Sequence, residues 1–329
     1  MNRNFRVGYS MATSTTTILV LHHEPDRYFE TLCARFPEVS FHSARNDIEV
    51  AKQMAECNPQ VLLSFRCDAI STKAQTMAAR ESCVQWIQVA GAGYDHIGDL
   101  QQIACPVTNC AGVLSRFQAE TVMGAMINLN FGFFRYQQQQ QEKMYRKLPW
   151  RSLEGQKLLL IGLGHIGRAV AINAHHFGMH VTAVRSRVQD SPDADEVYTQ
   201  DRLPDLLPKA DFVSLHLPYN EATHHFFDAK MLASMKKSAY LINTARGNVV
   251  DEEALISALR EASIAGAYLD VFSEEPLPQS SQLWKLGNVL LSPHYCDSVV
   301  DWHERFAGFF ADNLDRWLAG EKLHNLIKP

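Results

Sequence analysis

Leu158-Leu159-Leu160-Ile161-Gly162-Leu163-Gly164-His165-Ile166-Gly167 is the stretch that decides the fold. Four apolar residues read as a buried strand. A Gly-x-Gly-x-x-Gly turn follows, and 168–177 reads as a helix closed by Gly178. A second apolar run, 180–184, completes a strand–helix–strand unit. In that context the glycine turn is a dinucleotide-binding signature. Gly162 permits the tight turn, Gly164 lets backbone approach a pyrophosphate, and Gly167 lets the helix pack on the strand. His165 and Ile166 lie between them, at a helix N-terminus whose N–H groups and dipole favour anions.

The end of the second strand selects the cofactor. An NAD site usually has an acid there, for the adenosine ribose hydroxyls. This chain has Arg185-Ser186-Arg187. Two guanidiniums flanking a hydroxyl suit a 2′-phosphate. The sequence therefore favours NADP(H), with NAD(H) as the alternative.

A chain of 329 residues suggests two domains. Apolar residues make up 46% and charged residues 20%, ordinary values for a globular protein. The net charge of −5 gives no case for nucleic acid or an anionic membrane. No apolar run approaches the length of a transmembrane helix. The seven cysteines are scattered and none forms Cys-x-x-Cys, so neither a disulfide framework nor a zinc site is expected. A reducing, cytoplasmic setting fits. The His pairs 22–23, 175–176 and 224–225 lack i, i+4 spacing and read as surface or packing residues, so no metal site is expected. Residues 1–17 carry Arg3 and Arg6, many Ser and Thr and no acid. These are transit-peptide traits, but a disordered tail is the favoured reading.

Strand candidates at 17–21, 39–41, 61–64 and 86–89 and a helix at 27–36 precede the glycine turn, and alternation resumes from 157 to 292. The pattern predicts α/β architecture with parallel sheets. Ser115-Arg116-Phe117-Gln118 reads as a capping box opening a long helix over 116–136, with Gln137–Gln141 as a solvated extension. The last helix, 302–320, is expected to bury Phe306, Phe309, Phe310, Leu314 and Leu318.

Three later motifs each place an ionisable residue just past a strand. Tyr240-Leu241-Ile242-Asn243 runs into Thr244-Ala245-Arg246-Gly247. Gly266 to Phe272, with Asp270, leads to Glu274-Glu275-Pro276. Val289-Leu290-Leu291 ends in Ser292-Pro293-His294. Ligands in open α/β sheets bind at the carboxyl ends of strands, so Arg246, Glu275 and His294 are expected to converge.

With these motifs the chain resembles the D-isomer-specific 2-hydroxyacid dehydrogenase family from about Ile18 to Leu326, most closely from Leu158 to His294. The resemblance implies that Arg246 orients substrate, Glu275 is the acid and His294 the catalytic histidine. It implies that Asp270 holds the nicotinamide carboxamide. His216 and Pro218 would line the cofactor site. Backbone N–H groups of Ala90-Gly91-Ala92-Gly93 would take the substrate carboxylate. The implied reaction is NADPH-dependent reduction of a small 2-keto acid, glyoxylate- or hydroxypyruvate-like, to the D-2-hydroxy acid, with His294 donating the proton.

The implied architecture is a Rossmann cofactor domain at 116–299, inserted in a flavodoxin-like substrate domain of 1–115 plus 300–329. Hinges would lie near Ser115 and Ser298, with the active site in the cleft. A homodimer held through the cofactor domain is expected, and the apolar residues Val122, Met123, Met126 and Ile127 are compatible with it. Two departures stand out. Arg185 replaces an acid, and Tyr295, Cys296 and Asp297 stand where the family commonly has small residues. The alternatives are a dinucleotide-sensing corepressor and an NAD-dependent dehydrogenase of the D-lactate, phosphoglycerate or phosphite type.

Overall fold

The computed structural model describes residues 15–187 and 191–328. The reading of the N-terminal tail falls almost wholly on 1–14, outside the described residues. The chain divides into two compact units, one running to Val113 and resuming at His303, the other spanning Leu114–Trp302.

The first unit begins with β1 (Thr17–Leu21), α1 (Asp26–Arg35), β2 (Ser40–Ala44), α2 (Asp47–Cys57), β3 (Val61–Phe65), α3 (Thr72–Ala79), β4 (Trp86–Ala90) and β5 (Val107–Asn109). Asn46 and Ser71 cap α2 and α3 by accepting from Glu49 N and Ala74 N.

The second unit opens with α4 (Ser115–Phe131) and α5 (Phe133–Gln141). It continues through β6 (Lys157–Ile161), α6 (His165–His176), β7 (His180–Val184), β8 (Glu196–Tyr198), α7 (Leu203–Leu206), β9 (Phe212–Leu215), α8 (Ala229–Ser234), β10 (Tyr240–Asn243), α9 (Glu252–Arg260), β11 (Gly266–Leu269) and β12 (Val289–Leu291). Its sheet is ordered β12-β11-β10-β9-β6-β7-β8, with every pair parallel. The order reverses direction between β6 and β9, which makes that edge a topological switch point. Along β6, Leu158 and Leu160 enter one core cluster with α4 and α6, while Leu159 and Ile161 enter another on the opposite face. A strand covered on both faces must be apolar throughout, which explains the uninterrupted apolar run from Leu158 to Ile161.

The chain ends in α10 (Trp302–Leu318) and β13 (Leu326–Lys328). From His303 onward this segment completes the first unit, whose sheet is ordered β13-β5-β4-β3-β1-β2. All its pairs are parallel except β13 on β5. Trp86 of β4 stacks on Phe310 of α10 at 5.5 Å.

Several expectations are corrected. The N-cap of α4 is Leu114, without a side-chain cap bond, and Gln118 does not reach back. Its amide donates to Thr244 O at 2.8 Å. A buried backbone carbonyl took priority over the cap. The long helix breaks at Gly132, whose φ of +81° ends α4 in a left-handed turn. The glutamines then belong to α5, where Gln139 is buried and accepts from Arg146 N at 3.0 Å. Val122, Met123 and Met126 are buried in the core of their own unit, with Ile127 packed against it. Leu318 is exposed, since α10 ends there, and Phe309 is half-buried.

Candidate active site

The glycine turn is built by close approach. Gly162, at φ +105°, has His216 O 2.3 Å from where a Cβ would stand. At Gly167 a Cβ would meet Gly162 O at 2.2 Å. Gly164 differs, for a Cβ there would meet nothing within 4 Å. The outer two glycines serve the protein's own packing, and the middle one leaves an open approach to backbone at the start of α6. His165 is exposed and Ile166 half-buried in the first turn of that helix.

Around this turn, at the carboxyl ends of the parallel strands, three buried polar atoms have no hydrogen-bond partner among the described residues: Arg185 Nη1, His216 Nδ1 and Thr244 Oγ1. They follow β7, β9 and β10 respectively. His216 is fixed by its N–H to Ile161 O at 2.8 Å and by Nε2 to Ser214 Oγ at 2.9 Å. Burial lowers its pKa to about 4, so it is a neutral donor or acceptor. Ser186 and Arg187 are exposed beyond Arg185, and no carboxylate pairs with either arginine among the described residues. Pro218 is exposed and its carbonyl accepts from Thr223 Oγ1 at 2.8 Å. Buried polar groups are normally satisfied. Three orphans beside an open helix N-terminus therefore fit a bound dinucleotide.

The second constellation lies in the loops after β10, β11 and β12. Asn243 folds the first: its carboxamide accepts from Ala245 N at 3.1 Å and donates to Arg246 O at 3.1 Å. Arg246 is half-buried and Nη1 donates to Ala245 O at 2.7 Å. Gly247 lies against the backbone of Phe272 and Ser273, which ties the arginine loop to the glutamate loop. Glu275 Oε1 accepts from Phe272 N at 3.0 Å, and its Oε2 lies 2.8 Å from His294 Nδ1. His294 sits in the left-handed region at φ +52°. Its backbone N–H donates to Asp270 O at 2.7 Å. A histidine held through Nδ1 presents Nε2 for chemistry.

Asp270 is fully buried. Its carboxylate accepts from Ser292 Oγ, from Tyr295 N at 3.0 Å and from Cys296 N at 3.3 Å. It organises the turn after His294, a role the sequence did not suggest. Cys296 is half-buried, and burial pushes its thiol well above the usual range, which makes it a poor nucleophile. Tyr295 is exposed.

In the first unit, β4 ends at Ala90 and Gly91-Ala92-Gly93 follows. Gly91 O accepts from Cys110 N at 2.8 Å, and Ala92 O accepts from Asn109 Nδ2 at 2.8 Å. The carbonyls are tied back, while the N–H groups of Gly91, Ala92 and Gly93 donate to no protein acceptor among the described residues.

Among the described residues no group of three or more His, Cys, Asp or Glu could hold a metal ion, no helix is long and apolar enough to cross a membrane, and all seven cysteines are free.

A glycine turn on a doubly wound sheet, with an Arg, a Glu–His pair and orphaned donors at the strand ends, defines a dinucleotide-dependent oxidoreductase. Residues 123–296 match the NAD-binding domain of D-isomer specific 2-hydroxyacid dehydrogenases. The chain is 33% identical over 287 residues to the glyoxylate reductase of Korarchaeum cryptofilum, covering 84% of this chain and 85% of that one. It is 36% identical over 247 residues to the glyoxylate reductase of Thermofilum pendens, covering 71% and 72%. Of the solved structures, a D-isomer specific 2-hydroxyacid dehydrogenase family protein from Aeromonas salmonicida has a TM-score of 0.84 at 29% identity, covering 96% of this chain and 99% of that one. A D-isomer specific 2-hydroxyacid dehydrogenase from Xanthobacter autotrophicus, in complex with NADPH and MES, has a TM-score of 0.80 at 26% identity, covering 95% and 98%. The chain belongs to the D-isomer specific 2-hydroxyacid dehydrogenase family.

Proposed function

We propose that the protein reduces a small 2-keto acid, glyoxylate- or hydroxypyruvate-like, to its D-2-hydroxy acid with NADPH, in the cytoplasm. The observation that carries this reading is the 2.8 Å pair of His294 Nδ1 and Glu275 Oε2 on a loop fixed against that of Arg246. Two relatives at 33% and 36% identity are glyoxylate reductases, which supports the substrate class.

The dinucleotide, when bound, supplies the hydride. Gly164, His165 and Ile166 at the start of α6 would receive its pyrophosphate, and Arg185, Ser186 and Arg187 the adenosine end. His216, Pro218 and Thr244 would line the site. Arg246 would grip the substrate carboxylate and stabilise charge developing on the carbonyl oxygen. The free N–H groups of Gly91, Ala92 and Gly93 would supply further donors to that carboxylate, with Ala90 anchoring the loop. His294 would hand its Nε2 proton to the carbonyl oxygen, while Glu275 orients the ring through Nδ1. Asp270 would hold the nicotinamide carboxamide, and its carboxylate also fixes the backbone of Tyr295 and Cys296.

Residues 116–299 would form the cofactor domain, and 1–115 with 300–329 the substrate domain. A homodimer would use the second unit. Phe133, Met144, Tyr145 and Trp150 are among the exposed apolar residues of that unit that would be available to it.

The test is steady-state reduction of glyoxylate and hydroxypyruvate with NADPH and NADH compared at one pH. Turnover with kcat/KM at least about tenfold higher for NADPH, about 1.4 kcal/mol of transition-state binding, supports the reading. NADH preference removes the cofactor assignment. Binding without turnover on any 2-keto acid removes the enzyme reading.

A further inference from the structure

Two polar side chains of α4, Gln118 and Thr121, bind the backbone of the loops described above. Gln118 is buried, and its Nε2 donates to Thr244 O at 2.8 Å. Thr121 is half-buried, and its Oγ1 donates to Cys296 O at 2.7 Å. Residues three apart on a helix lie side by side on one face. Thr244 stands two residues before Arg246, and Cys296 two residues after His294. One turn of one helix thus holds the loop of the arginine and the loop of the histidine.

Neither bond is the default for its residue. A threonine inside a helix can return its hydroxyl to the carbonyl four residues back. That carbonyl, Phe117 O, lies at 3.3 Å, whereas Cys296 O lies at 2.7 Å. A hydroxyl has one proton to give, and the shorter contact is the stronger claim on it. Burying the Gln118 carboxamide costs free energy unless it is hydrogen-bonded, and its amide finds Thr244 O.

Both loops need such ties. His294 sits at φ +52°, a conformation that a residue with a side chain keeps only where its surroundings hold it. Asp270 takes the N–H groups of Tyr295 and Cys296, and Thr121 takes the Cys296 carbonyl. The peptide groups on both sides of Cys296 are therefore fixed. In the arginine loop, the Asn243 carboxamide bridges Ala245 N and Arg246 O, and Gln118 takes the Thr244 carbonyl that this bridge leaves over.

Building on the reductase reading above, we propose that Gln118 and Thr121 are positioning residues, Gln118 for Arg246 and Thr121 for His294. Each acts through the loop it holds. The arginine grips the substrate from binding onward, whereas the histidine is needed at proton transfer. Loosening the first loop should therefore show in KM, and loosening the second in kcat.

The experiment is steady-state reduction of hydroxypyruvate with NADPH by Thr121→Val, Thr121→Ser, Gln118→Met and Gln118→Leu, with urea denaturation to confirm folding. Thr121→Val keeps the shape and loses the donor. It is expected to lower kcat about tenfold and leave KM for the keto acid within about twofold, since small misplacements of a reacting group are costly. Thr121→Ser restores the hydroxyl and should recover kcat to within about threefold of wild type. The two Gln118 variants, either of which serves if the other fails to fold, should raise KM at least about fivefold. Folded variants that lose only stability, with kcat and KM within about twofold of wild type, would reduce both bonds to packing ties and overturn the proposal. A reversed split, or equal losses in Thr121→Val and Thr121→Ser, overturns it as well, and the reductase reading survives each of these results. A wild type that reduces no 2-keto acid overturns that reading and this inference with it.

Discussion

A Cβ placed on Gly247 would stand 1.9 Å from the carbonyl carbon of Phe272, so the loop bearing Arg246 and the loop leading to Glu275 touch backbone to backbone. No flexible side chain separates them, and nothing in that contact can rotate away. Gly247→Ala must push one loop off the other. Overpacking against backbone is expected to cost about 2–3 kcal/mol, read by urea denaturation. A displacement near 1 Å at Arg246 should also lower kcat/KM about 100-fold. A variant with wild-type stability and rate would show that the two loops are not mechanically joined.

His294 and Glu275 form one unit, and their substitutions should behave accordingly. His294→Gln removes the proton donor and is expected to lower kcat on a 2-keto acid about 100- to 10,000-fold. Glu275→Gln keeps the size but removes the charge at 2.8 Å from Nδ1. It should lower kcat more than it raises KM, because the orientation of the ring matters chiefly in the transition state. The double variant should be hardly slower than His294→Gln alone. Additive losses would mean that Glu275 acts independently of the histidine.

The glycines of the turn separate folding from binding. Gly162→Ala meets the His216 carbonyl at 2.3 Å and a backbone at φ +105°, so it should unfold at markedly lower denaturant. Gly164→Ala meets nothing of the protein. It should keep its stability within about 0.5 kcal/mol while weakening dinucleotide affinity at least about tenfold, measured by titration calorimetry. Unchanged affinity in Gly164→Ala would place the pyrophosphate elsewhere.

Much of this was legible because it was local. A run such as Leu158 to Ile161 can only be a strand covered on both faces, and glycines in a fixed pattern mark where backbone must come close. What was hidden depended on partners distant in sequence. Gln118 looked like half of a capping box until Thr244, far along the chain, supplied a carbonyl for it. Asp270 carries a structural task besides the expected one, because three donors from 292–296 gather around its carboxylate. Val122 and Met126 looked available to a second subunit because no sequence pattern shows that α6 and the sheet already cover them. Gly132 was the one missed local signal, since a glycine flanked by phenylalanines is easily read as the interior of an apolar helix.

Arg185 is the residue on which cofactor choice is expected to turn. Its Nη1 is buried without a partner among the described residues, and the neighbouring Ser186 and Arg187 are exposed. Arg185→Glu replaces a donor for a 2′-phosphate with an acceptor for ribose hydroxyls. The ratio of kcat/KM for NADPH to that for NADH should fall at least about 100-fold, roughly 2.7 kcal/mol. An unmoved ratio would show that the 2′-phosphate is recognised elsewhere or not at all.

His22 gives the first unit a predictable acid sensitivity. It is 1% exposed, its ring lies 4.5 Å from that of Phe65 and 5.5 Å from that of His303, and its pKa is lowered to about 3. Burial is the main cause, with the like charges of His23 and His303 adding to it. A folded-state pKa below the unfolded value of 6.5 means that the unfolded chain takes up the proton first. The stability tied to His22 is therefore complete above about pH 6.5 and is lost as pH falls toward 3, by at most about 1.4 kcal/mol per pH unit. Burial lowers His303 as well, so its contribution has the same sign. His22→Phe keeps an aromatic ring beside Phe65 and removes the titration. Between pH 7 and pH 5 the wild type should lose about 2 kcal/mol more than this variant in urea unfolding. Parallel losses in the two proteins would show that the acid sensitivity arises from other groups.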